Sequence, residues 1–96
     1  ASRTREFDLI AVDATRLFVN ETKSKPSTEK AKDFVADYRE VLEYFPDYKD
    51  KTIVPIFSAL QLPDEIVKYL SAHGCYALTM GEEHLAIVNF DDVDIK

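Results

Sequence analysis

The chain has a single cysteine, no apolar run long enough to cross a membrane, and no dense cluster of basic side chains. With Cys75 alone no internal disulfide can form, so a reducing compartment and a cytoplasmic location are expected. A membrane span needs about 18 or more consecutive apolar residues, which no part of the sequence supplies. A signal-peptide pattern is also absent, so no membrane association is expected. Lys and Arg number 12 against 18 Asp and Glu, a net charge of −6. That balance argues against a broad electrostatic footprint for nucleic acid.

The acidity is uneven. Residues 1–25 carry five basic and four acidic side chains, residues 26–81 six and nine, and residues 82–96 one and five. The first quarter of the chain is thus the one part that is not acidic, which favours an anionic ligand there. The 96 residues, 46% of them hydrophobic, suit one small folded domain spanning 1–96. The polar start Ala1-Ser2-Arg3-Thr4-Arg5 without an initiator Met is what a domain from a longer protein would show.

Periodicity divides the chain into elements. Two strands are expected at about 7–13 and 16–23, followed by the breaker Ser24-Lys25-Pro26-Ser27. Ala31, Phe34, Val35, Tyr38, Val41, Leu42 and Phe45 then recur at helical spacing and predict one helix of about five turns, ended by Pro46-Asp47. Thr52 to Ser58 reads as a buried strand in which Pro55 lacks a ladder donor and points to an edge or a bulge. A second helix opens at Leu62-Pro63-Asp64-Glu65 and is closed by Gly74 after His73. Cys75–Thr79 and His84–Val88 predict a last strand pair around 80–83. The order β-β-α-β-α-β-β implies an α/β (α+β) domain, a mixed sheet with helices packed against it.

Within the first two strands, Asp8 precedes Glu21-Thr22-Lys23 by thirteen residues. An aspartate among apolar neighbours costs free energy unless paired, hydrogen-bonded or metal-bound. Glu21 and Lys23, two apart on a strand, point to one face. If Asp13 pairs with Arg16 across a two-residue loop of Ala14-Thr15, opposed residue numbers sum to 29. Val12 then faces Leu17, Ile10 faces Val19 and Asp8 faces Glu21, with side chains near enough to share one cation. A three-residue loop would separate the two carboxylates onto opposite faces. Two readings remain open from the pattern: a cross-strand salt-bridge set on a half-exposed face, or a divalent-metal site beside a cation.

The stretch from Glu6 to Ala11, followed by Val19-Asn20-Glu21-Thr22-Lys23-Ser24, a helix and a further strand, resembles the core of the PD-(D/E)XK nuclease-like superfamily. The likeness covers residues 6 to about 58 and is closest to small domains related to restriction endonucleases and Holliday-junction resolvases. The resemblance implies a restriction-endonuclease-like mixed sheet with flanking helices, and a Mg²⁺- or Mn²⁺-dependent endonuclease acting on DNA. Asp8, Glu21 and the Thr22 carbonyl would be the metal ligands, all hard oxygen donors. Lys23 would orient or deprotonate the attacking water or stabilise the charge developing on phosphorus. In that family the core usually begins with a helix, often bearing a glutamate facing the site; no counterpart is legible ahead of the first strand. The alternative function is a catalytically inactive domain of the same fold serving as an interaction or homodimerisation module. Its contact surface would be the apolar edge around Ile53–Phe57 and the last strand pair.

The remaining candidates have plainer readings. Tyr38, on the inward helix face, is expected in the core. His73 is favoured by the dipole at a helix C-terminus, and His84 is expected at the surface. Cys75 reads as a buried small hydrophobe. Residues 90–94, Phe-Asp-Asp-Val-Asp, lack the spacing and glycine of a calcium loop and are expected to be a solvated tail.

Overall fold

The computed structural model describes residues 9–81 and 85–93. Five strands form one mixed sheet in sequential order: β1 (Leu9–Val12), β2 (Arg16–Lys23), β3 (Thr52–Ala59), β4 (Tyr76–Met80) and β5 (Leu85–Ile87). The three central strands are parallel, and the two outer ones are antiparallel to their neighbours. The parallel crossovers β2-to-β3 and β3-to-β4 step in the same direction, so their helices fall on the same face. These helices are α1 (Thr28–Asp37), α2 (Val41–Tyr44) and α3 (Asp64–Ala72). The molecule is therefore a small α+β domain whose helices cover one side of the sheet.

The core lies between that side and the helices. Leu17 and Val19 of β2, Phe57 of β3 and Ala77 of β4 meet Ala31 and Phe34 of α1, Val41 of α2, and Ile66 and Leu70 of α3. Phe57 stands centrally, its ring 5.7 Å from that of Phe34. Tyr38 and Cys75 are buried in the same cluster, as their positions in the sequence suggest. Among the described residues no helix is long and apolar enough to cross a membrane.

The β1–β2 hairpin has the two-residue loop Ala14-Thr15 and pairs Leu9 with Asn20, Ile10 with Val19 and Val12 with Leu17, so opposed numbers sum to 29. Ala-Thr is a poor sequence for the primed turns that hairpins prefer, and no described non-glycine residue has positive φ. Asp13 supplies the missing turn chemistry. Its Oδ1 accepts from the backbone N–H groups of Thr15 and Arg16 at 2.9 and 2.7 Å. Its Oδ2 takes the Arg16 guanidinium at 2.9 and 2.7 Å. Lys51 then donates to the Asp13 and Ala14 carbonyls, tying the turn to the segment before β3.

Two expectations need correction. The helix predicted through Phe45 is interrupted: α1 ends at Asp37, a 3₁₀ turn spans Tyr38–Glu40, and α2 stops at Tyr44. Phe45 is 41% exposed and stacks on Tyr48 instead of entering the core. It precedes Pro46, whose ring excludes the α conformation from the residue before it, and it adopts φ −131°, ψ 67°. The strand containing Pro55 is not an edge strand, since β3 lies at the centre of the sheet. Pairing with β4 begins only at Ile56, however, so Pro55 itself sits where β3 is paired on one side.

The end of α3 follows its sequence signal. Gly74 takes φ +75°, its N–H donates to the Ser71 carbonyl, and the N–H of Cys75 donates to the Leu70 carbonyl. This is the left-handed glycine cap that satisfies the last helical carbonyls. At the start of α1, Ser27 Oγ accepts from the N–H of Lys30 at 3.1 Å.

Candidate functional site

β2 brings Glu21 and Lys23 together. Leu17 and Val19 point into the helix-covered core, and alternation carries the same face outward to Glu21 and Lys23 at the carboxyl end of the strand. Lys23 Nζ lies 3.9 Å from Glu21 Oε2. The Glu21 side chain is 16% exposed and that of Lys23 34%. A carboxylate held at the margin of an apolar core beside an ammonium is thus a feature of the folded chain. Thr22 faces the opposite side, near Asn20, whose Nδ2 donates to Thr22 Oγ1 at 3.0 Å. Ser58 of β3 in turn donates to Asn20 Oδ1. Asp8, the third site residue expected from the sequence, lies outside the described residues, as do Glu6, Arg3, Arg5 and His84.

Among the described residues no group of three or more His, Cys, Asp or Glu side chains is placed to hold a metal ion. Glu21 and the Thr22 carbonyl are hard oxygen donors of the kind Mg²⁺ takes, and Asp8 would add a third. Lys23 follows directly, so a cation stands beside any anion that such donors would bring in.

A groove of about 410 Å³ opens at this end of the sheet, between the β2–α1 and β3–α3 connections, lined by Ser24, Pro26, Leu60, Gln61 and Pro63. Lys30 reaches back from α1 to donate to the Lys25 carbonyl at 2.6 Å. That adds an ammonium to a loop which already carries Lys25 next to Lys23. The sequence reading missed the groove because its walls come from two loops more than thirty residues apart. The one local signal is Leu60, a large apolar residue directly after a buried strand.

The opposite face of the sheet carries a second groove of about 380 Å³, where Phe18, Val54, Ile56, Tyr76, Ile87 and Phe90 line most of the wall. Arg16 stands at its rim, its guanidinium 5.2 Å from the Phe18 ring centre.

The other chemistry-bearing residues are structural. Burial pushes the Cys75 thiol up to about 12, with Arg39 opposing the shift, so this thiol stays protonated. Burial likewise raises the Tyr38 phenol above its ordinary value. The exposed His73 packs its ring 4.2 Å from that of Tyr69. Its Nδ1 donates to the Tyr69 carbonyl at 2.8 Å, as the loop end of a helix favours. Asp91 and Asp92 form part of an exposed 3₁₀ turn. Comparison with protein-family models, with curated proteins and with solved structures found no match.

Proposed function

We propose that this chain is a Mg²⁺-dependent endonuclease-like domain that hydrolyses phosphodiester bonds in DNA on a restriction-endonuclease-like core. The observation that carries the reading is the pairing of Glu21 with Lys23 at the carboxyl end of β2, on a hairpin whose opposed residue numbers sum to 29. The reading requires the ladder to run one pair beyond Leu9 and Asn20, where Asp8 would oppose Glu21. Asp8, Glu21 and the Thr22 carbonyl would then hold the ion. Bound Mg²⁺ supplies Lewis-acid polarisation of the phosphate and a water of lowered pKa. Lys23 orients the attacking water and stabilises negative charge on the phosphoryl oxygens. Glu21 in turn fixes the Lys23 ammonium in place.

The test is Mg²⁺ or Mn²⁺ titration by calorimetry together with plasmid nicking, for the wild type and for Asp8→Ala, Glu21→Ala and Lys23→Ala. Glu21→Ala and Asp8→Ala are expected to abolish metal binding and nicking. Lys23→Ala should keep the metal and lose on the order of 10² or more in rate. No metal affinity at millimolar ion, or nicking unchanged in the variants, would sink the reading.

A second reading has its own observation. The sheet face opposite the helices exposes Ile87, Leu85 and Phe90, and among the described residues no helix packs on it. Parallel strands are normally covered on both faces. A catalytically silent domain that pairs with a second copy of itself through this face would satisfy that rule. Arg16, already bridged to Asp13, stands at one rim and Asp91 and Asp92 beyond Phe90, so the patch has both signs of charge for a self-complementary contact.

A further inference from the structure

We propose that the groove at the carboxyl ends of β2 and β3 takes an unstacked nucleobase, so that the domain acts on single-stranded or locally unpaired DNA in preference to continuous duplex. The choice of a polynucleotide rests on the reading of the Glu21–Lys23 end as a phosphodiesterase site. Lys23 and Ala59 are paired neighbours in the sheet. The groove walls begin with the next residue of each strand, Ser24 and Leu60. The groove therefore begins one residue beyond Lys23 along the chain, although Lys23 is not one of the residues that line it.

The lining selects the occupant. Among the described residues the walls, Ser24, Pro26, Leu60, Gln61 and Pro63, include no charged side chain, so they offer a phosphate only neutral donors and no ion pair. Leu60 is 65% exposed although Ala59 before it is fully buried, which leaves an apolar tip standing at the end of the central strand. Leucine and proline are among the residues that wedge between bases and unstack them. A glutamine amide matches the paired donor and acceptor on a base edge. The volume of about 410 Å³ falls in the range of small-molecule sites, roughly 300–1,000 Å³.

Charge orients the strand. The β2–α1 side carries Lys23, Lys25 and Lys30 against Glu21 and Glu29, a local balance of +1, with Lys30 Nζ on the Lys25 carbonyl. On the other side Asp64 and Glu65 follow Pro63 in the first turn of α3, both exposed. Phosphates are attracted to the lysine side and repelled from the α3 side. The backbone of the strand runs past the lysines, and a base turns towards Leu60 and Gln61. A base within a duplex is paired and stacked and presents no free face to such walls. A duplex-binding surface must also neutralise many phosphates, which a chain of net charge −6 is poorly furnished to do.

The test is fluorescence anisotropy in Ca²⁺ buffer, using one labelled mixed-sequence oligonucleotide alone and annealed to its complement. The single strand is expected to bind at least about tenfold tighter than the duplex, and the Leu60→Ala, Gln61→Ala double variant to lose most of that preference. Lys30→Ala should weaken both forms alike. Equal affinity for the two forms, no single-strand binding, or a preference untouched in the double variant would overturn the proposal. Circular dichroism of the double variant checks that these exposed substitutions leave the fold intact. Cleavage assays in Mg²⁺ run in parallel separate the two readings. Strand-selective binding without cleavage supports the groove assignment and removes the catalytic one. Duplex cleavage indifferent to Leu60 and Gln61 does the reverse.

Discussion

Asn89 is enclosed where the chain leaves β5, with 1% of its surface exposed. Its Oδ1 accepts from the N–H of Ala77 at 2.7 Å, and its Nδ2 donates to Ser71 Oγ and to the Cys75 carbonyl, both at 2.9 Å. One amide thus joins α3, the start of β4 and the segment after β5. Asn89→Ala leaves a buried N–H and a buried carbonyl without that partner. It is expected to cost about 2–4 kcal/mol, read as a lower urea midpoint at unchanged slope. Nothing local marks Asn89 in the sequence, because its partners lie 12 to 18 residues away. Glu21 and Lys23 are the opposite case. Their juxtaposition follows from the two-residue period of a strand, so it was legible at once. Cys75 was also legible as a buried hydrophobe, and its protonated thiol agrees with that role.

Among the elements, the β1–β2 hairpin depends on the Asp13 carboxylate. The Arg16 side chain, then the N–H groups of Thr15 and Arg16, hold its pKa below the ordinary carboxylate value. The unfolded chain binds that proton more readily. The stabilisation is therefore complete above the ordinary carboxylate range and is lost as pH falls through the lowered folded value. Asp13→Ala should lower the urea midpoint near pH 7, and the gap from wild type should close on acidification below about pH 4. A gap that stays constant with pH would show that the carboxylate charge has no part in the turn. At the other end of the fold, Gly74 has open space where a Cβ would stand. The cost of Gly74→Ala is then one of backbone strain at φ +75°, about 1 kcal/mol by thermal or urea unfolding. The glycine cap and the helix start after Ser24-Lys25-Pro26-Ser27 were readable because each is a local signal, as were the bounds of β2, with those of β3 and β4 within one residue. The break between α1 and α2 was not, since the apolar spacing runs through it and the 3₁₀ turn at Tyr38–Glu40 changes phase without a breaker residue.

At the scale of the molecule, one sheet face carries the core and the other carries the exposed Phe90 beside the half-buried Phe18 and Tyr76. Phe90 is 63% exposed and stacks on Tyr76 at 5.8 Å. If a second copy covers this face, sedimentation equilibrium should report a dimer, and Ile87→Lys with Phe90→Ser should return it to monomer without loss of helical signal. A monomer at the highest attainable concentration would exclude the homodimer. The Phe57→Ala variant probes the covered side, where removal of a fully buried ring should cost about 3–5 kcal/mol.

The sequence by itself carried the alternation of strands and helical segments, the two-residue-loop register as one of two alternatives, and the placement of Glu21 and Lys23 on one strand face, because each depends on spacing along one or two adjacent strands. The position of β3 at the centre of the sheet, the groove between the β2–α1 and β3–α3 loops, the Asn89 network and the sheet face on which no α-helix packs among the described residues were decided only by tertiary structure. Each of these joins residues far apart in the chain. Their energetics come from packing and long-range hydrogen bonds, which leave no periodic trace in the sequence.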